Sequence, residues 1–582
     1  MHLRLRRIIF SALAITLLTL GALATTAGAQ DRSLYATQQF NEGVQWFSMN
    51  VETGALTLNG PLTPSGALPA VPGITPNGQQ LYVPAYDDDE IHAFSIGSGA
   101  PSEISGSPFT AGTNPNAAIP STSGSALWSA DYIGGTVSGF GIGGSGALTP
   151  ATGSPFTATG NPTTIAVSPH NSLLYTPDLS GQAISGFSTS ADGGLTPLSG
   201  FPLTDLGNPI DAEFSVSGET LFILNYNQSI ASYSVNQQTG ALTEIAGSPV
   251  NFSGSAPAAL AASPDGKFLF AADNGTNTLL SFAIGANGSL TPVDSISTDG
   301  MAFDAAVSPN SRFVYTSDYT HGTIHGFAIA ADGSLSELAT SPYGDQSGPL
   351  FSFAIVPDQG PAAAFNSNIS YVSTLNVDAG ASSDTDGSVS TYQWNFGDGS
   401  SPVTATSPQS SHTFNRGGTF TVSLVVTDNE NCSDQQVGTG QTLACNGSSA
   451  ARTSQTVTIP PLTLKFPSAK QIKSTKSKGK TVLRVQVQSF LDRNASISYQ
   501  FQKSKKGGAC RKHTTTHKHK PSFKNFGKSS SASGANGRNL KTFAGKFGGK
   551  KIVPGRYRVI LKAKDQAGES AGPATSASFC VR

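Results

Sequence analysis

The most constraining feature of this chain is a repeat that begins at Leu34, ends near Asp358 and has a period in the mid-forties. One copy runs Ser263-Pro264-Asp265-Gly266-Lys267-Phe268-Leu269-Phe270-Ala271-Ala272-Asp273, then Thr278-Leu279-Leu280-Ser281-Phe282-Ala283-Ile284, then Gly288-Ser289-Leu290-Thr291-Pro292. The order is a turn, an aromatic strand, a polar loop, a second strand, a Gly-rich turn and a short closing strand. An aromatic marks each copy: Tyr35, Tyr82, Trp128, Tyr175, Phe222, Phe270 and Tyr315, spaced by 47, 46, 47, 47, 48 and 45 residues. A fixed period of that length, built from several short strands, predicts a β-propeller of seven blades. Each unit is a small sheet with two apolar faces, so no copy can bury itself alone; a ring of them can.

Four strands fill such a period. The innermost precedes the Ser-Pro turn, as in Thr163-Thr164-Ile165-Ala166-Val167; the marker aromatic lies on the second, and Ala183-Ile184-Ser185-Gly186-Phe187 typifies the third. The chain enters at the second strand of its first blade, and a lone inner-type strand, Phe351-Ser352-Phe353-Ala354-Ile355, follows the last copy. That strand is expected to complete the first blade and leave no open edge at the junction. The repeated pattern resembles the lactonase-type seven-bladed propellers, the group that includes 6-phosphogluconolactonases and muconate cycloisomerases. The resemblance is specific for fold and weaker for chemistry.

Outside the repeat the chain divides further. Residues 1–29 read as an export signal: Arg4, Arg6 and Arg7 precede an apolar run from Ile8 to Leu23, and Ala27-Gly28-Ala29 supplies small residues for cleavage. The run is short for a membrane span, and no later stretch suits one, so a secreted or wall-associated product is expected. Charged residues are only 12%, beside 64 Gly and 35 Pro, which favours an extracellular all-β chain. Four cysteines in an exported chain favour two disulfides, expected as Cys432–Cys445 and Cys510–Cys580.

Residues 361–461 carry a different pattern. Tyr392-Gln393-Trp394-Asn395-Phe396-Gly397-Asp398-Gly399 is followed by His412-Thr413-Phe414 and by Gly418-Thr419-Phe420-Thr421-Val422-Ser423-Leu424-Val425-Val426-Thr427-Asp428. Phe420, Val422, Leu424 and Val426 alternate as a half-buried strand does, and Trp394 and Phe396 are candidate core rings. The motifs resemble a PKD domain, an immunoglobulin-like sandwich. A polar insert bearing Cys432 and Cys445 departs from the usual short PKD ending. The resemblance brings calcium as an optional cofactor, with Asp384, Asp386 and Asp428 able to offer oxygens; turn capping is the competing role.

Residues 462–582 hold 27 Lys and Arg against three acids, whereas residues 30–360 hold 26 acids against three basic residues. Such a split suggests a cationic attachment module, or contact between opposite ends of two copies. Val482-Leu483-Arg484-Val485-Gln486-Val487 and Tyr557-Arg558-Val559-Ile560-Leu561-Lys562-Ala563 alternate as strands do. The run from Gly548 to Gly568 resembles small bacterial extracellular immunoglobulin-like domains. A long basic loop over residues 503–538, with His513, His517 and His519, is expected to be solvated and to meet an anionic wall or surface polymer. Phe523 and Phe526 are its only aromatics, which argues against specific nucleic-acid recognition. The expected fold is therefore all-β: a seven-bladed propeller over residues 30–360, then two immunoglobulin-like β-sandwiches, 361–461 and 462–582.

The function is less legible. Many lactonase-type propellers place a His on the inner strand, facing the central funnel. The matching positions here are Val71, Ala117, Thr164, Asp211, Ala259, Asp304 and Ser352, with neither His nor Arg among them. Lactone hydrolysis needs a base and a group that stabilises an oxyanion. Asp211 and Asp304, with Glu213 nearby, are the candidate bases, and no cation accompanies them. A second set, Asp131, Asp178, Asp273 and Asp318 with Asp87, Asp88 and Asp89, stands at the loops of one face. These carboxylates either cap turns or form an acidic binding ring. The reading adopted is a secreted or wall-associated binding and scaffold protein with an unidentified ligand at the propeller face and no required cofactor; the alternative is an exported lactone hydrolase.

Overall fold

The computed structural model describes residues 31–582 apart from 98–99, 372, 440, 442, 506–521, 536 and 566–567. The expected signal peptide and the histidines of the basic loop lie outside the described residues. Among those described, no helix is long and apolar enough to cross a membrane.

Seven sheets of four main strands each form the propeller. Blade 5 is representative: Pro209–Phe214 lies innermost, then Thr220–Asn225, Ser229–Val235 and Leu242–Glu244. Blade 1 is assembled from both ends of the repeat. Leu350–Ile355 is its inner strand, paired antiparallel with Asp31–Gln38, which continues to Gly43–Asn50 and Leu56–Pro64. The junction is thus sealed by backbone hydrogen bonds, as the lone seventh inner-type strand implied.

The repeat's two punctuation marks are physically linked. The seven marker aromatics are all at most 1% exposed. The Tyr82 hydroxyl donates to Gly146 O (2.8 Å), Trp128 Nε1 to Gly193 O (2.9 Å), Tyr175 to Gly240 O (2.6 Å) and Tyr315 to Gly54 O (2.7 Å). Each acceptor belongs to the Gly-rich turn of the following blade, where the glycine holds φ between 71° and 87°. Only glycine enters that region freely, so turn and aromatic are joint requirements of blade packing. Tyr315 makes this bond across the ring junction, from blade 7 to blade 1.

The second domain is a two-sheet sandwich. Asn366–Tyr371, Thr374–Asp378 and Gln409–Thr413 face Val403–Ala405, Val389–Asn395, Gly418–Asp428 and Arg452–Ile459. Trp394, Phe396, Val422, Leu424 and Val426 form its core, each at most 1% exposed. The Cys432–Cys445 disulfide is present and closes the insert, whose strands Val437–Gly438 and Leu443–Cys445 form a hairpin. The third domain is also a two-sheet sandwich, with Phe501 stacked on Phe547 in its core. Its expected loop is shorter than the composition suggested, because Phe523–Asn525 and Ser530–Gly534 pair with Ala495–Ser504. Their Ser, Ala and Gly residues satisfy backbone bonds without the apolar alternation that marks a strand in sequence. Cys580 is disulfide-bonded, and its expected partner, Cys510, lies outside the described residues.

Replacing Tyr315 by Phe leaves the buried Gly54 carbonyl without its donor. The expected loss is about 1–2 kcal/mol of unfolding free energy, read from a denaturant titration; an unchanged midpoint would show that this bond does not hold the junction.

Candidate functional site

The inner strand of each blade exposes one edge to the central channel, where no further strand can pair with it. The sequence meets this in two ways. Between blades 2 and 3 the backbone itself bridges: Val71 N donates to Asn116 O and Ala118 N to Val71 O, both 3.1 Å. Elsewhere carboxylates accept the orphan donors of the next blade. Asp211 Oδ2 accepts from Leu260 N (2.6 Å), Glu213 Oε1 from Ala262 N (3.5 Å) and Asp304 Oδ2 from Phe353 N (3.0 Å). The sequence separation is 49 residues in all three cases, about one blade.

These carboxylates are the three candidate bases; Asp211 and Asp304 face the same cavity, while Glu213 is buried on the inner strand beside it. Asp211 Oδ1 accepts from its neighbour Ala212 N (2.8 Å), and Asp304 also accepts from Ala305 N (2.8 Å) and Ser352 Oγ (2.6 Å). Burial raises the Asp211 carboxyl to about 7, against the hydrogen bonds that lower it. Burial likewise raises Asp304 to about 6 and carries Glu213 well above its ordinary value.

Asp211 and Asp304 line a cavity of about 260 Å³ together with Val71, Thr164, Ala259 and Ser352. Six of the seven positions anticipated for the funnel therefore face it; Ala117 is buried beside Val71. Phe303 and Phe351 pack at the funnel wall with ring centroids 4.8 Å apart, and Tyr319 adjoins Phe303 at 5.3 Å. No Lys, Arg or His is among the described lining residues.

One lining residue comes from outside the propeller. The disulfide-closed hairpin of the second domain enters from the face of the Ser-Pro turns, where Gln436 Nε2 donates to Thr122 O (3.0 Å). At its tip Thr439 O accepts from Phe214 N (2.7 Å), and Gln441 Nε2 donates to Asp211 Oδ1 and to Ala212 O (3.1 Å). Gln441 thus lines the inner end of a funnel whose walls belong to another domain. No sequence signal pointed to it beyond the insert's departure from the PKD pattern.

The loop carboxylates do not project together into a ligand site. Asp131, Asp178, Asp273 and Asp318 are each at most 1% exposed. Asp131 accepts from Ser129, Thr136 and Ser138; Asp178 from Asn161 N (2.7 Å) and Gly181 N (3.0 Å); Asp273 from Ser255 N (3.0 Å) and Thr276 N (2.9 Å). Asp318 accepts from Thr320 N (2.8 Å) and lies against two imidazoles. Asp88 holds Ala67 N and Asp89 holds Asn114 N, both at 2.7 Å, while Asp87 lies exposed. Asp88, Asp89, Asp178 and Asp273 thereby fasten second-strand loops to the loops that enter the inner strands.

Where the propeller meets the second domain, Arg32 is buried among Asp358, Asp386 and Glu430. It reaches Asp358 Oδ1 at 2.8 Å, Asp386 Oδ2 at 2.9 Å and both oxygens of Glu430. Asp384 and Asp428 adjoin this group, and one guanidinium serves the whole cluster. Asp358 Oδ2, Asp428 Oδ2, Asp386 Oδ1 and both Asp384 oxygens are buried without a hydrogen-bond partner among the described residues. Burial raises Asp358 and Asp428 well above the ordinary carboxylate range and Asp384 to about 6; neighbouring carboxylates add to each shift, and Arg32 opposes it at Asp358 and Asp384. An oxygen-only donor set with unpartnered lone pairs fits a hard divalent cation. The three residues singled out in sequence are therefore brought together, and Asp358 from the end of the propeller joins them.

The profile described as lactonase, 7-bladed beta-propeller, matches residues 33–304 and 229–353, together more than half of the chain. The chain belongs to that family. A PKD domain profile matches residues 359–442, so the tip that reaches the funnel lies at the end of that match. Among solved structures, a protein from Lactobacillus plantarum is 25% identical with a TM-score of 0.50, over 56% of this chain and 99% of that one. A protein from Bacteroides fragilis, provisionally named a 6-phosphogluconolactonase, is 20% identical with a TM-score of 0.51, over 57% and 99%. Its namesake from Bacteroides uniformis is 19% identical, also at 0.51, over 56% and 100%. No curated protein matches the chain.

Each acid raised in the folded state binds protons that the unfolded chain releases near pH 4. The stability it contributes is complete below that pH and lost as pH rises through its folded value, about 6 for Asp384 and higher for Asp358 and Asp428. Without divalent cations, the thermal midpoint should fall between pH 5 and 9, and Asp428→Asn should flatten the fall. A midpoint that rises across the range would contradict the buried acidic seam.

Proposed function

We propose that this chain is an exported, surface-associated binding protein rather than a lactone hydrolase. Its funnel receives a small uncharged ligand. One observation carries the reading: the funnel's carboxylates stitch neighbouring inner strands together, with no Lys, Arg or His among the described lining residues. A hydrolase would need one carboxylate free to take a proton from water and donors aimed at the developing oxyanion, whereas the Gln441 amide is spent on Asp211 and Ala212. Aromatic and aliphatic walls with a few polar groups suit an uncharged ring, and the Gln441 amide adds a polar group from the second domain. The basic third domain attaches the assembly to an anionic wall or surface polymer, and the seam between the first two domains holds calcium.

The hydrolase reading retains one argument, that the Asp211 carboxyl titrates near 7, where a general base works. Assay of sugar and aromatic lactones separates the two. The wild-type chain should show no turnover above buffer; turnover abolished by Asp211→Asn or Asp304→Asn in a folded variant would overturn the proposal. Retention on anionic wall polymer should fall steeply with salt, and a salt-independent or absent retention would remove the attachment role. Calcium should raise the thermal midpoint of the wild-type chain and leave that of Asp384→Asn nearly unchanged.

A further inference from the structure

Blade 7 carries a side-chain cluster that neither the funnel nor the seam uses. Its centre is His325, on the third strand, Thr323–Ile329, with a side chain only 4% exposed. His325 Nδ1 lies 2.9 Å from Glu337 Oε1, which also accepts from Ser341 Oγ at 2.9 Å. The repeat supplies an internal comparison. In blade 2, His92 Nδ1 lies 2.9 Å from Glu103 Oε1, which accepts from Ser107 Oγ at 2.9 Å. The His-Glu-Ser trio is therefore a recurring strut, and by itself it implies no ligand.

The two blades differ at the other ring nitrogen. Ala85 in blade 2 occupies the second-strand position that Asp318 holds in blade 7, three residues beyond the marker tyrosine. Blade 3 keeps the carboxylate, as Asp131, but places Ser138 rather than an imidazole opposite it, with Ser138 Oγ donating at 2.8 Å. Only blade 7 combines the two. His325 Nε2 lies 2.7 Å from Asp299 Oδ1 and 3.7 Å from Asp318 Oδ2. His321 Nδ1 adds a second imidazole, 2.7 Å from Asp318 Oδ2 and 4.0 Å from Asp299 Oδ1. The ligand atoms of Asp299, Asp318 and His325 lie within 4.8 Å of one another.

We propose that blade 7 binds a borderline divalent cation of the zinc class through His325 Nε2, His321 Nδ1, Asp318 and Asp299, with Glu337 as the positioning residue. Two imidazoles and two carboxylates form a donor set for such an ion, whereas the oxygen-only seam suits a harder one. A carboxylate on the far nitrogen of a ligating His fixes the ring and directs the other lone pair at the metal, which is where Glu337 stands. Tetrahedral coordination at about 2.0–2.1 Å separates ligand atoms by roughly 3.3 Å. The two pairs at 2.7 Å open by about half an ångström, and the wider pairs draw in. Asp299 and His321, the exposed ligands at 66% and 46%, lie on loops that can make this adjustment. Their exposure places the ion at the blade's rim, where it exchanges with solvent.

Without a metal, the same geometry describes protonated imidazoles paired with carboxylates, so the test must read the metal directly. The chelator-stripped full chain is titrated with zinc at about pH 7.5, where binding of the ion displaces protons from the imidazoles. Calcium is present throughout to occupy the seam, and cobalt replaces zinc as the spectroscopic probe. The wild-type chain should take up cobalt with the intense visible bands of a four-coordinate nitrogen and oxygen site. Asp299→Asn and His325→Gln should each lose one equivalent of zinc and those bands, while His92→Gln keeps both. Asp299 is exposed, so its variant folds even if the strut variant does not. Histidines elsewhere in the chain contribute equally to every variant except by the residue changed. Equal stoichiometry and spectra in wild type and Asp299→Asn would overturn the proposal, as would the absence of zinc binding by the wild-type chain.

Discussion

The structure depends on how seven inner strands cope with a channel that offers them no partner. A β-strand edge facing a narrow tunnel carries N–H groups that cannot be left dry without a cost of about 1–3 kcal/mol each. This chain meets the demand with a backbone bridge between blades 2 and 3 and with Asp211, Glu213 and Asp304 farther round. The same constraint explains why acidic side chains line a funnel with no Lys, Arg or His among its described lining residues. They act as acceptors for the next blade, and their raised titration follows from that placement.

The hairpin of the second domain answers the same constraint from outside. Thr439 O takes the Phe214 N–H as a strand partner would, and Gln441 caps Asp211. The disulfide at its base fixes the hairpin to a sandwich that is itself tied to the propeller by Arg32 and its acidic neighbours. The propeller and the second domain therefore share a buried polar seam as well as a pocket. Substituting the tip alters the funnel without touching the propeller, and substituting the seam alters how the tip is presented.

Much of this was legible in the chain. Seven aromatics at near-constant spacing implied the ring, and a lone inner-type strand after the last copy implied its closure, because the strand period and the unpaired edge are local properties. Six of the seven funnel positions could be placed through the family resemblance, which marks one position on each inner strand. The alternation Phe420, Val422, Leu424, Val426 implied the sandwich strand. What the carboxylates do was not legible. An Asp that accepts a backbone N–H from the next blade reads the same in sequence as an Asp that activates water, since the donor lies 49 residues away. The sequence therefore left turn capping and an acidic ring open for Asp131, Asp178, Asp273 and Asp318, and in the fold all four are buried acceptors. The strands within the basic domain's expected loop were hidden because Ser, Ala and Gly carry no apolar period.

The sequence by itself determined the number of blades, the marker aromatics and the Gly-rich turns, which follow from a local period; the family resemblances implied the two sandwiches, and the cysteine count in an exported chain implied the Cys432–Cys445 bridge. Tertiary structure alone decided that Gln441 enters another domain's channel, that Asp358 joins Asp384 and Asp428 around one arginine, and that His325 meets Asp299 and Asp318 at one rim. Those encounters bring together donors and acceptors far apart in the chain or on separate loops of a blade. No periodic pattern records them, because each is set by where the ring and the sandwich come to rest against one another or by how one blade's loops fold back on its strands.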